Sequence, residues 1–192
     1  MNNIVLSILI PSTIDRASML HELITELNRQ IAECNAHDKV EILTDIDNRE
    51  KTVGAKRNDL YLRAKGVYSG SIDSDDWIAP NYISENLKAA EFDCDAISLD
   101  GKMTTNGENP ISWRISKDYP YVAVIENNKT VFLRWNNHLG FIKSEICKQF
   151  KFEDIAFSED YNWSKLIHEA QVIKTEAKTN GELYHYRYQT NK

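Results

Sequence analysis

Cysteine is scarce in this sequence, and its placement removes whole classes of explanation. Cys34, Cys94 and Cys147 are odd in number and far apart, so neither a CxxC pair nor a disulfide framework can be read from them. Long apolar runs are missing too. The stretch from Ile4 to Ile10 is too short to cross a membrane, and no basic flank marks it as a signal peptide. The expectation is a soluble, cytoplasmic protein with no membrane segment. Runs of Lys or Arg are also lacking: 23 basic residues face 29 acidic ones, a net charge of -6. A chain that holds nucleic acid through its phosphates should show a basic face, so nucleic acid is not indicated as a partner. No Gly-rich phosphate loop, G-x-S-x-G or Ser/His/Asp signature occurs.

What remains is ordinary globular material: 192 residues, 42% hydrophobic and 27% charged, suited to one domain over 1–192. The run from Ile4 to Ile10 is nearly continuous and rich in β-branched residues, as in a strand covered on both faces. Leu20, Leu23, Ile24, Leu27 and Ile31 recur at helical spacing and predict a helix over roughly 16–35. Val40 to Leu43 gives a second strand ending at Thr44-Asp45, which makes a βαβ unit with parallel strands. A helix over 54–65, closed by Gly66, leads to a third strand, Val67 to Ile72. A helix follows Pro80, and Phe92 to Leu99 reads as a strand. Beyond that the pattern weakens. Tyr121 to Ile125 and Val131 to Trp135 look β-like between Asn-rich turns; 143–150 and 159–170 look helical; Leu183 to Tyr188 looks like a last strand or ordered tail.

In open α/β sheets, ligands sit beyond the carboxyl ends of the strands. Here those ends carry Pro11-Ser12-Thr13, Asp45 and Asp73-Ser74-Asp75-Asp76. Clustered carboxylates repel, and a buried cluster calls for a cation; oxygen ligands alone favour Mg²⁺, Mn²⁺ or Ca²⁺ over zinc. The plain alternative is an acidic turn before Trp77. Arg57 could reach a base or phosphate, or be a solvated helix charge. Asp160, in the Glu159-Asp160 pair, could serve as a general base or merely complement a helix start. His138 and His185 each stand alone in sequence, as structural histidines often do.

Taken in order, LSILIPST, EILTD, GAKRN, YSGSIDSDDW and FSEDYNW resemble the family 2 glycosyltransferases of the GT-A fold. The likeness covers 4 to about 82 well and 138 to about 170 more loosely. It implies an α/β, Rossmann-like three-layer sandwich with a mostly parallel central sheet, 1–100 forming the nucleotide-sugar half and 101–192 the acceptor side and tail. It further implies transfer from a nucleotide-diphosphate sugar, commonly a UDP-sugar, to the hydroxyl of a glycan or other acceptor, with a divalent cation (Mn²⁺ or Mg²⁺) as cofactor.

By the same resemblance, Pro11, Ser12, Thr13, Asp45, Arg57, Asp73 and Ser74 lie on the donor side. Asp75 and Asp73 hold the metal, with His185 a third ligand in some relatives, and Asp160 is the base of an inverting reaction. His138, Trp135 and Trp163 are placed towards the acceptor, Trp163 having a core role as its alternative. Asp45-Ile46-Asp47-Asn48 departs from the D-D-G-S-x-D pattern of many relatives. Two other readings are a nucleotidyltransferase, for which Pro11 to Arg16 is a poor phosphate loop, and a non-catalytic nucleotide-sugar-binding module.

Overall fold

A computed structural model describes residues 4–190. The first strand, β1 (Leu6–Thr13), passes through a short 3-10 turn, Ile14–Arg16, into α1 (Ala17–Glu33). Then come β2 (Val40–Asp47), α2 (Val53–Arg63), β3 (Tyr68–Ser71), the two-residue β4 (Trp77–Ile78) and α3 (Tyr82–Ala90). The second half holds β5 (Ala96–Thr105), β6 (Glu108–Ile115), β7 (Val122–Glu126), β8 (Lys129–Arg134) and β9 (Phe141–Lys143). Two helices, α4 (Ser144–Cys147) and α5 (Glu159–Glu169), precede β10 (Glu176–Tyr188).

One sheet takes in all ten strands, its main path running β2-β1-β3-β9-β5-β6-β8-β7. β1 pairs in parallel with β2 and β3, and β10 in parallel with β5. β9 lies antiparallel between β3 and β5, so those two share the direction of β1. The centre is therefore mostly parallel, as expected, and the β6 to β8 strands extend it beyond β5.

The near-continuous apolar run of β1 follows from its position between two helical layers. Leu6, Ile8 and Ile10 pack with Leu20, Leu23 and Leu27 of α1 and Ile83 of α3. Leu9, pointing the other way, packs with Leu60 and Tyr61 of α2 and Trp163 and Ile167 of α5. Each such fully buried Leu or Ile contributes roughly 1.5–3 kcal/mol.

Several boundaries differ from the sequence expectation. β1 runs on through Thr13, so Pro11-Ser12-Thr13 is strand rather than loop. Pro11 is tolerated because the β3 register ends at Leu9↔Ser71, and its missing N–H falls where β3 has already left. Gly66 does not close α2 with a left-handed residue; a Cβ there would lie 2.7 Å from the Ser7 backbone N, so close approach to β1 is the reason for glycine. Phe92 is exposed in the turn before β5, and β6 was not foreseen. No helix among the described residues is long and apolar enough to cross a membrane.

Candidate functional site

The polar residues gather where β1, β2 and β3 end, and α2 supplies the cations that bind these ends together. α2 starts on Thr52, whose hydroxyl accepts from Ala55 N–H at 3.1 Å. Its inward face buries Lys56 and Arg57 beside Leu60 and Tyr61. Lys56 Nζ donates to the Ser12 carbonyl at 2.5 Å and forms an ion pair with Asp47, so one ammonium joins the ends of β1 and β2. Ser12 Oγ donates to Ser74 Oγ at 2.9 Å, joining β1 to the loop after β3. Asp45, opposite Pro11 in register, pairs with Lys51 at 3.1 Å.

Arg57 is the hub. Its Nη2 donates to Asp73 Oδ1 at 2.7 Å, its Nη1 pairs with Glu159, and its Nη2 stands 3.2 Å from His138 Nε2. Burial opposes its charge, but Asp73 and Glu159 outweigh burial and raise its pKa. Burial likewise pushes Asp73 up, yet Arg57 and His138 bring it below the ordinary carboxylate value. Glu159 rises to about 7, burial prevailing over the pull of Arg57. His138 falls to about 4, through burial first and Arg57 second. Asp160 follows Glu159 at the start of α5; its side chain is 45% exposed and lies 3.9 Å from His138 Nδ1. Ser158 precedes them in the left-handed region at φ 67 and offers no side-chain cap, so the Arg57–Glu159 pair fixes how α5 begins.

The Asp73 to Asp76 loop is clamped from β10. Tyr184 Oη donates to Asp76 Oδ2 at 2.7 Å and accepts from Asp73 N–H at 3.2 Å. Arg187 gives its backbone N–H to Asp76 Oδ1 and its Nε to the Asp75 carbonyl, both at 2.8 Å. Asp76 is buried, and burial together with the neighbouring Asp73 raises its pKa to about 7. Asp75 instead faces Arg16 at 3.2 Å, from the turn after β1.

The structure thus joins Ser12, Ser74, Asp73, Arg57, His138 and Asp160 through successive contacts, with Asp75 on the same loop as Asp73. The structure places three of the expected residues away from an open acceptor or metal face, Trp163 in the core role that was its alternative. Trp163 is 1% exposed, stacks on Phe152 at 4.6 Å and donates to the Phe150 carbonyl; it is core and unavailable to an acceptor. His138 is buried behind Asp160 instead of lining an open face. His185 is engaged by Thr104 of β5 at 2.8 Å and lies opposite Trp77 in the β10–β4 pairing, so its ring is held by the sheet and not by the aspartates. Trp135 stacks on His168 at 4.5 Å and lies 6.0 Å from Tyr161, the residue after Asp160.

Lys56, Glu159, Tyr184 and Arg187 carry the site's internal connections, and none of them is among the site residues expected from sequence. A signal existed for Lys56 and Arg57, since both share a helical stripe with Leu60 and Tyr61, where a solvated charge has no place. Arg187 carries no comparable sequence signal, because β-strand alternation does not say which loop a strand will meet.

Asp73 and Asp75 offer only oxygen donors, and among the described residues no three His, Cys, Asp or Glu side chains stand together as a metal cage. That donor set fits a hard cation held by one or two carboxylates with substrate phosphates completing its shell.

No family model matches the sequence, and no curated protein matches it. Solved structures do match. Residues 1–349 of S. aureus TarS, a glycosyltransferase, share 14% identity with this chain at a TM-score of 0.66, over 96% of this chain and 60% of that one. TarS in complex with UDP-GlcNAc gives 15% identity and a TM-score of 0.66, over 98% and 60%. TarS in complex with UDP gives 15% and 0.65, over 96% and 60%. The chain therefore has a GT-A-like fold and spans about 60% of the length of these neighbours.

Proposed function

We propose that this chain transfers a sugar from a nucleotide-diphosphate sugar to an acceptor hydroxyl. The observation that carries the reading is the contact chain Asp73–Arg57–His138–Asp160, built at the carboxyl ends of parallel strands in a GT-A-like fold. Neighbours of that fold bind UDP and UDP-GlcNAc, which favours a UDP-sugar as donor. Ser12, Thr13 and Asp45 lie at the ends of β1 and β2 and would face the nucleoside, while Arg57 with Asp73 would face the diphosphate.

A divalent ion, Mn²⁺ or Mg²⁺, would be held by Asp75 with Asp73, and when bound would offset charge on the departing diphosphate. Asp160, half-exposed beside the hub, takes the acceptor hydroxyl's proton as that oxygen bonds to the anomeric carbon. The bond from that carbon to the phosphate oxygen breaks, and its electron pair leaves with the nucleoside diphosphate. Attack from the opposite face inverts the anomeric centre. Tyr161, next to Asp160 in the chain, and Trp135, whose ring lies 6.0 Å from it, would stand on the acceptor side.

A thermal-shift panel of UDP-, GDP- and CDP-sugars with and without Mn²⁺ tests the reading, with calorimetry and turnover on two variants. Wild type should be stabilised most by one nucleotide class with Mn²⁺, and Asp75→Asn should lose the increment due to metal. Asp160→Asn should bind donor as wild type does while transfer falls about 10²–10⁴-fold. Absence of stabilisation by every nucleotide would sink the proposal.

A further inference from the structure

His138 has a buried ring nitrogen that no hydrogen bond satisfies, and its place in the network says what that nitrogen is for. A guanidinium can only donate, so at 3.2 Å from Arg57 Nη2 the His138 Nε2 must accept. The proton of the neutral ring then sits on Nδ1. That Nδ1 is buried without a partner, and the acceptor facing it is Asp160 Oδ2 at 3.9 Å. A buried N–H without a partner is unfavourable, so closing this gap is favourable. The residue cannot drift away: Ser71 N–H donates to the His138 carbonyl at 2.6 Å, at the end of β3. Arg57 cannot drift either, held as it is by Asp73 and Glu159.

We infer that His138 is a positioning residue for Asp160: its Nδ1–H donates to Oδ2 and, together with the Tyr161 N–H that Oδ1 accepts at 2.8 Å, fixes the carboxylate towards the acceptor hydroxyl. This rests on the reading of Asp160 as the base. The charged groups facing the ring are Arg57 from α2, Asp73 from the loop after β3, and Asp160 from α5. Burial and Arg57 keep the imidazole neutral near physiological pH, so it remains a donor from Nδ1 alone.

Nitrogen NMR of the full chain with labelled histidine tests the contact without any substrate. The expected result is the Nδ1–H tautomer at neutral pH, with an Nδ1 resonance that moves in Asp160→Asn. An Nε2–H tautomer, or an Nδ1 resonance indifferent to Asp160, overturns the inference even if the chain transfers sugar. Turnover with the responding UDP-sugar tests the role. Asn places its amide nitrogen where Nδ1 lies, whereas Gln reaches towards Nε2. His138→Gln should lose about 10²-fold in kcat with donor affinity unchanged, and His138→Asn should stay within about tenfold of wild type. Equal losses at an unchanged melting temperature would overturn the positioning role. Full transfer by Asp160→Asn would remove the base assignment and the role with it, while the NMR contact stood on its own.

Discussion

Gly54 shows how a residue without chemistry can decide the site's shape. Its φ is ordinary, yet a Cβ there would lie 1.9 Å from the Glu153 carbonyl oxygen. The backbone of 153–155 lies directly on the first turn of α2, and Thr52 Oγ1 reaches Asp154 at 2.5 Å beside it. This contact sets where the chain leads into Glu159 and Asp160. Gly54→Ala should cost about 1–3 kcal/mol in urea unfolding, the range of an overpacked contact, and should lower transfer as well. An unchanged unfolding midpoint would mean that the loop yields freely and does not position α5.

At the level of elements, β10 holds the acidic loop through two residues of one strand, Tyr184 and Arg187. The Arg187 side chain donates to the carbonyls of Asp75 and Asp76 and sits over the Trp77 ring at 5.6 Å. Arg187→Ala should loosen the loop and weaken nucleotide binding about tenfold by calorimetry, the equivalent of one to two net hydrogen bonds. Arg187→Lys should not restore it, since an ammonium cannot span both carbonyls in a fixed fork. Loss of melting temperature with full affinity would assign the residue to stability alone.

The same elements show what could be read in advance. α1, α2, α3 and α5 were legible because each buries one stripe at helical spacing, and β1 because its run is apolar on both faces. The β5–β6 hairpin was not, because β6 alternates poorly: Glu108, Asn109 and Pro110 are exposed and only Trp113 and Ile115 reach the core. In the site, Asp73, Asp75, Arg57 and Asp160 stood out from the motifs. The roles of His138 and Glu159 depend on distances across more than one element, which spacing along the chain does not encode.

Across the whole molecule, one sheet joins the residues of both halves. β5 pairs with β9, β6 and β10, and β9 pairs with β3. Arg57 adds an ion pair from α2 to α5. Heat should therefore unfold the chain in one transition, with calorimetric and van't Hoff enthalpies equal. Two resolved transitions would instead divide it near residue 100.

The parallel pairing of β10 with β5, which matches Glu176 to Ala96 and Tyr188 to Thr105, also sets an order of events during synthesis. The acidic loop emerges long before the tyrosine and arginine that clamp it. Pairings of such long sequence separation are slow to form, because loop-closure entropy must be met before the contact is made. Nucleotide-binding competence should thus appear late, as a marker that the last strand has docked, and a nascent chain stopped short of β10 would carry its aspartates without the geometry to use them.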